Sequence, residues 1–294
     1  MKKQINIKTI KIQTPDGLLL NGLLYGSNKP KNIFIYLHGL GSNLFSKTEL
    51  LESLIASDTA VLAFNNRGSG LINFFKKTGK LKLKENKSKI IGMAHEVFTD
   101  CVYDLEGAIS FASRLKAKNI YLIGHSTGCQ KIIYYLYKKP KNKINKIILL
   151  APIADFADTY KFTERKILNR ALNTAKKMVR QGNSHQLIPE NIWREPIDAQ
   201  RFLSLNTIES EEEIFTYASG KKPVVLQKLN KPALIIFAEK DEYADRPMKE
   251  ISDWFEKILA GKNTKIKTIA DSYHSFDGYF KSLGKIIQDW AKTK

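Results

Sequence analysis

One stretch constrains this chain more than any other: Asn119 to Tyr135, NIYLIGHSTGCQKIIYY, reads as strand, sharp turn and helix in immediate succession. Ile120 to Ile123 form a short apolar, β-favouring run, and after Cys129 the residues Ile132, Ile133, Leu136 and Tyr137 recur at helical spacing. Between them stands Gly124-His125-Ser126-Thr127-Gly128. This is a G-x-S-x-G pattern, in which a serine is held in a strained strand-to-helix turn and its hydroxyl projects above a sheet. Without a Cβ, Gly124 and Gly128 let strand and helix close around Ser126. The helix N-terminus then aims peptide N–H groups at any oxyanion formed there.

The rest of the chain supplies the sheet that such a turn requires. Ile5 to Gln13 and Leu18 to Tyr25 flank the turn residues Thr14 to Gly17 and read as an opening antiparallel hairpin. Asn32 to Leu37, Ala60 to Phe64, Ile144 to Leu150 and Ala233 to Phe237 are near-continuous apolar runs, the mark of strands covered on both faces. Helices are expected over Phe45 to Ala56, Glu96 to Leu115, Asp245 to Leu259 and Phe280 to Lys292, with a further strand at Thr264 to Ile269. The alternation implies an α/β architecture, a mostly parallel sheet with helices on both faces. It stops after Ala151-Pro152, where only helical stretches such as Tyr160 to Arg180 follow. Residues 153–230 are therefore expected to be a helical cap inserted between a first core part, 1–152, and a second, 231–294. The basic segment Leu71 to Ile91 reads as a surface loop or small excursion.

A serine hydroxyl needs a base within hydrogen-bond reach and a third group to orient that base. Of the five histidines, His38, His95 and His125 precede Ser126 and His185 falls in the cap segment, which leaves His274, in a loop past the last strand, as the base. Asp241 follows the ALIIF strand within a few residues and is the expected orienting acid, with Glu242, Asp245 and Asp271 as alternatives. The glycine-bracketed loop His38-Gly39-Leu40-Gly41 after the Asn32 to Leu37 strand sits where a second oxyanion donor belongs, so the expected donors are the N–H groups of Leu40 and Thr127. His38, Gly39, His125, Trp193 and Phe202 are the expected substrate contacts, with Leu203, Phe215 and Tyr217 as further candidates for the pocket wall.

The pieces HGLGSN, NNRGSG, EVFTDCVYDLEGAI, GHSTGCQKIIYY, LLAPIAD, AEKDEY and the late YHSF resemble those of an α/β-hydrolase over nearly the whole chain. They are particularly similar to a little-characterised serine-hydrolase family whose fungal members include siderophore esterases. That resemblance implies Ser126, Asp241 and His274 as a triad and a carboxylic ester as substrate. Asn65 departs from it, standing where many hydrolases carry an acidic residue before the Arg-Gly step.

Other classes of function find less support. The net charge of +19 invites nucleic-acid binding, but lysine far outnumbers arginine, is spread along the chain and accompanies no reading motif. Even its densest cluster, Lys76 to Lys89, lacks interleaved aromatics. No apolar run approaches a membrane span or a signal-peptide core, so a cytoplasmic monomer or homodimer without stable membrane anchoring is expected. Cys101 and Cys129 both fall in expected helices and suggest no disulfide framework or metal cluster; no cofactor is expected. A thioesterase, amidase or acyltransferase would use the same residues, and a hydrolase-shaped binding protein would have no need of all of them.

Overall fold

A computed structural model of the chain describes residues 5–79 and 87–293. Ten strands form one sheet. Strands β1 (Ile7–Gln13) and β2 (Leu18–Gly26) make the antiparallel hairpin expected around the TPDG turn. Strands β3 (Asn32–Leu37) and β4 (Thr59–Phe64) follow, with β5 (Asn73–Lys77) and β6 (Ser88–Ile91) next in the chain. Then come β7 (Asn119–His125), β8 (Ile144–Leu150), β9 (Ala233–Ala238) and β10 (Thr264–Ile269). The order across the sheet is β10-β9-β8-β7-β3-β4-β2-β5-β6, with β1 on β2. From β10 to β4 every neighbour is parallel, and β2, β5 and β6 continue antiparallel.

The two-residue period of a strand divides the core between the two faces. Ile33, Ile35 and Leu37 of β3 join Ile235 and Phe237 of β9 on one face, against helices α2 (Cys101–Arg114), α3 (Thr127–Lys138), α7 (Val224–Gln227) and α8 (Met248–Ile258). Phe34 and Tyr36 point the other way, with Leu234 and Ile236, onto α1 (Thr48–Ser53) and α9 (Phe280–Lys292). Covered on both sides, these strands have no polar face to show, which is why they read as unbroken apolar runs.

Between β8 and β9 lie four helices, α4 (Asp155–Phe162), α5 (Arg165–Arg180), α6 (Ala199–Asn206) and α7. Helices α5 and α6 share a small core of their own, around Leu168, Leu172, Ile197 and Phe202.

Several boundaries differ from expectation for local reasons. The helix expected over Tyr160 to Arg180 is broken at Thr163 and Glu164, whose backbones are extended, with ψ of 133° and 129°. The helix expected from Asp245 begins at Met248, because Pro247 holds an extended conformation and disfavours helical geometry at the residue before it. The helix expected from Glu96 begins at Cys101, which leaves Glu96 free to enter the interior. The helix expected over Phe45 to Ala56 is the short α1. The Leu71 to Ile91 segment is more than a loop: β5 and β6 pair and extend the sheet edge through β2. The part of its basic run at 80–86 lies outside the described residues.

Candidate functional site

The loops after β3, β7, β9 and β10 all leave the carboxyl ends of parallel strands, so the topology delivers His38 to Gly41, Ser126, Asp241 and His274 to one edge of the sheet. Ser126 links β7 to α3 with φ +54° and ψ −128°, a conformation that costs a non-glycine residue energy and persists only when its surroundings enforce it. The enforcement is visible in the flanking glycines. A Cβ on Gly124 would lie 2.7 Å from the Gly128 carbonyl, and one on Gly128 would collide with the Leu37 carbonyl oxygen. The Ser126 N–H is fixed on the Leu150 carbonyl at 3.0 Å. Gly39 passes so close that a Cβ there would come within 2.9 Å of Ser126 Cβ.

His274 is held from four sides. Its Nδ1–H donates to Asp241 Oδ2 at 2.7 Å and its backbone N–H donates to Glu242 Oε2 at 2.9 Å. Its carbonyl accepts from His125 Nε2–H at 2.9 Å. The ring sits between His125 and Tyr243, with centroids 4.9 Å from each. Asp241 is itself oriented, because its Oδ1 accepts the Tyr243 N–H at 3.1 Å. The alternative acids are committed elsewhere: Glu242 to the His274 backbone, Asp245 to Arg246 and Asp271 to Lys240.

Ser126 and His274 line one cavity of about 260 Å³ with Gly39, Leu40 and His125. Among the described residues the amides of Leu40 and Thr127 donate to no protein acceptor, as expected for a loop N–H and the first N–H of a helix. The remaining wall is mostly polar: Ser42, Ser46, Lys47, Asp155, Asp158 and Tyr243 beside Ile153. Burial pushes the Asp158 carboxyl up to about 6, a rise opposed by His274 and reinforced by Asp241. Burial and then Glu212 push Asp155 well above the usual carboxylate range. Ser46, Lys47 and Asp158 carried no sequence signal, because polar side chains in helices and loops read as solvent-facing until the fold encloses them.

Three expected substrate contacts lie elsewhere. His38 is fully buried beneath the loop, where Nδ1–H donates to the Gly39 carbonyl at 2.9 Å and Nε2 accepts the Asn66 N–H at 3.2 Å. Both nitrogens are used by the neutral ring, and burial and then Lys131 push its pKa down to about 4. Trp193 and Phe202 stack edge to face at 4.9 Å and belong to the small core of α5 and α6, away from the Ser126 cavity. Of the further aromatic candidates, Phe215 is packed on Phe255, and the Tyr217 hydroxyl oxygen accepts the Ala154 N–H at 2.8 Å.

Beneath the site runs a buried ion network that the sequence did not announce. Lys131 of α3 donates to Glu96 at 2.6 Å and to Asn66 Oδ1 at 3.1 Å. Glu96 lies 3.4 Å from Arg201 of α6, which grips Glu212 with two nitrogens. Burial alone would raise the Glu96 carboxyl, but Lys131 and Arg201 outweigh it and hold it below the ordinary value. Asn65 accepts the Leu44 N–H at 2.9 Å, and Arg67 is clasped by Asp16, Asp100 and Asp104.

A family model described as a protein of unknown function, DUF1749, matches residues 94–272, well over half of the chain. The chain belongs to this DUF1749 family. The matched residues include Ser126 and Asp241 and stop just short of His274. Among relatives, the chain is 25% identical over 211 residues to a Mycoplasma pneumoniae protein named "Putative esterase/lipase 3", covering 68% of this chain and 75% of that one. Among solved structures, a Pyrococcus furiosus esterase superposes with a TM-score of 0.63 at 18% identity, covering 98% and 91% of the two chains. The siderophore hydrolase EstB from Aspergillus fumigatus superposes with a TM-score of 0.67 at 16% identity over 97% of each. These superpositions and the sheet order identify the fold of this DUF1749 member as that of the α/β hydrolases.

Proposed function

We propose that the protein is a serine hydrolase that cleaves small carboxylic esters through an acyl-enzyme on Ser126. The observation that carries this reading is the 2.7 Å bond from His274 Nδ1–H to Asp241, on a cavity wall shared with a serine strained to φ +54°. With Nδ1 protonated, the Nε2 lone pair of His274 is left to take the Ser126 proton as Oγ attacks the ester carbonyl. The Leu40 and Thr127 amides receive the oxyanion, each such donor contributing about 3–4 kcal/mol. The ester C–O bond then breaks, the alcohol leaves with the proton from His274, and a water activated by the same ring releases the acid. Residues 153–230 act in this reading as the cap over the cavity, contributing Ile153, Asp155 and Asp158 to its wall. The esterase names of the relative and structural neighbours agree with the assignment. Among the described residues no helix is long and apolar enough to cross a membrane.

The test is labelling by a fluorophosphonate probe with mass-spectrometric mapping, beside turnover of p-nitrophenyl esters from acetate to laurate, on wild type and Ser126→Ala. Adduct on Ser126 and short-ester turnover abolished by the substitution are the expected results. Absence of both in folded protein would overturn the assignment, and labelling with turnover confined to thioesters or amides would change the substrate class.

A further inference from the structure

Lys47 is a residue of the cavity wall that the chemistry above does not use. It is 5% exposed and lines the Ser126 cavity. Among the described residues its ammonium donates to no hydrogen-bond acceptor and has no carboxylate within 4 Å. Exposed Asp277 is the carboxylate whose charge bears on it, and that group is hydrogen-bonded to Ser275. The local fold offers no help either. Lys47 sits at the start of α1, where free amides carry partial positive charge and disfavour a cation. Besides the distant charge of Asp277, the ammonium lies over the face of Phe280, 5.6 Å from its centroid. The ammonium nitrogen is not among the fully enclosed, unpartnered polar atoms, so it keeps contact with solvent through the cavity, where an anion can replace water.

The rest of the wall says where an anion would go. Asp155 is occupied by Gln130 Nε2 at 2.7 Å, and Asp158 lines the same cavity as His274 and feels the charges of His274 and Asp241. Neither lies within ion-pair distance of Lys47 among the described residues, so the cavity wall carries two carboxylates and an ammonium that are not paired with one another. Above pH 6 an ionised Asp158 repels an anion. Lys47 is then the site left to receive it.

We infer that Lys47 is a specificity residue, and that the ester this site takes carries a carboxylate, which the Lys47 ammonium binds while the ester carbonyl lies at Ser126. The inference rests on the serine-hydrolase reading. A single charge-assisted hydrogen bond in a buried site corresponds to about 10- to 100-fold in kcat/KM.

The experiment uses two ladders of substrates. Monomethyl half-esters of succinate to suberate place the carboxylate on the acyl side, and acetoxy carboxylic acids place it on the leaving side; each is paired with the uncharged ester of equal length. At one length on one ladder, the charged ester should exceed its uncharged partner by about 10- to 100-fold in wild type. That ratio should collapse in Lys47→Met and recover in part in Lys47→Arg. Uncharged esters equal to or better than all charged ones in wild type would overturn the inference before any variant is made. So would a Lys47→Met enzyme slowed equally on both members of the pair, which is the signature of a structural lysine. Turnover of uncharged esters with Ser126 labelled, but no charged preference, sinks this inference alone. Absence of any turnover or label sinks the hydrolase reading and this inference with it.

Discussion

Asp241→Asn is the sharpest probe of the proposed chemistry, because the structure dictates which way the new amide must face. Asp241 accepts two hydrogen bonds on two different oxygens, the Tyr243 N–H on Oδ1 and His274 Nδ1–H on Oδ2. Asparagine has one acceptor and one donor group. If its oxygen turned to His274, its NH₂ would face the Tyr243 N–H, donor against donor near 3.1 Å in a buried setting. An unmet buried donor costs about 1–3 kcal/mol. The oxygen therefore stays on Tyr243 and the NH₂ meets His274 Nδ1, which must become the acceptor. The proton moves to Nε2, and the ring can no longer take one from Ser126. Loss of the correct tautomer with geometry intact corresponds to a fall of up to about 10⁴ in kcat. The assay is kcat and KM on p-nitrophenyl butyrate, with thermal melting as the control for folding. KM should move far less than kcat. A loss under tenfold in well-folded protein would refute the tautomer argument, and a further collapse on adding Glu242→Gln would name Glu242 as the acid.

Three other outcomes follow from the same coordinates. Gly39→Ala places a methyl 2.9 Å from Ser126 Cβ and 3.4 Å from its hydroxyl, so fluorophosphonate labelling should slow by about 10²-fold or more, as for a displaced reacting group; unchanged labelling would show that the loop yields freely. Burial raises Glu213 from 4.5 to about 7, although Ser219 bonds its charged form. A carboxyl whose folded pKa is raised contributes stability that is complete below about pH 4.5 and lost as pH rises through 7, so Glu213→Gln should gain up to about 3 kcal/mol over wild type at pH 8 and nothing at pH 4. Parallel melting curves of the two proteins across that range would contradict the assignment. Lys131→Met removes one partner of the buried Glu96 and should cost about 3–5 kcal/mol in urea unfolding, where a cost below 1 kcal/mol would mean that Arg201 alone sustains the carboxylate.

The strands were legible because a parallel sheet buried on both faces leaves no room for polar residues, and β3, β4, β7, β8 and β9 accordingly spell themselves as apolar runs. The strand-serine-helix turn was legible for steric reasons, since only glycine fits where Gly124 and Gly128 stand. His274 and Asp241 could be picked out because strand order puts their loops at one sheet edge, whatever the side chains around them. Pocket walls have no such grammar. Trp193 and Phe202 look like ligand contacts and are packing, while Lys47 and Asp158 look like surface residues and line the cavity.

Local sequence thus determined what depends on backbone sterics and on period: the strands, the strand-serine-helix turn, and the order of Ser126, Asp241 and His274 along the chain. Tertiary structure alone decided what depends on distant segments meeting. It put Asp241 on the His274 ring and Glu242 on the His274 backbone N–H, and it buried Lys131, Glu96 and Arg201 together from three separate parts of the chain. It also left Lys47 lining the cavity with no carboxylate paired to it among the described residues. The energy of a charge is set by its surroundings in three dimensions, and those surroundings are not adjacent to it in the sequence.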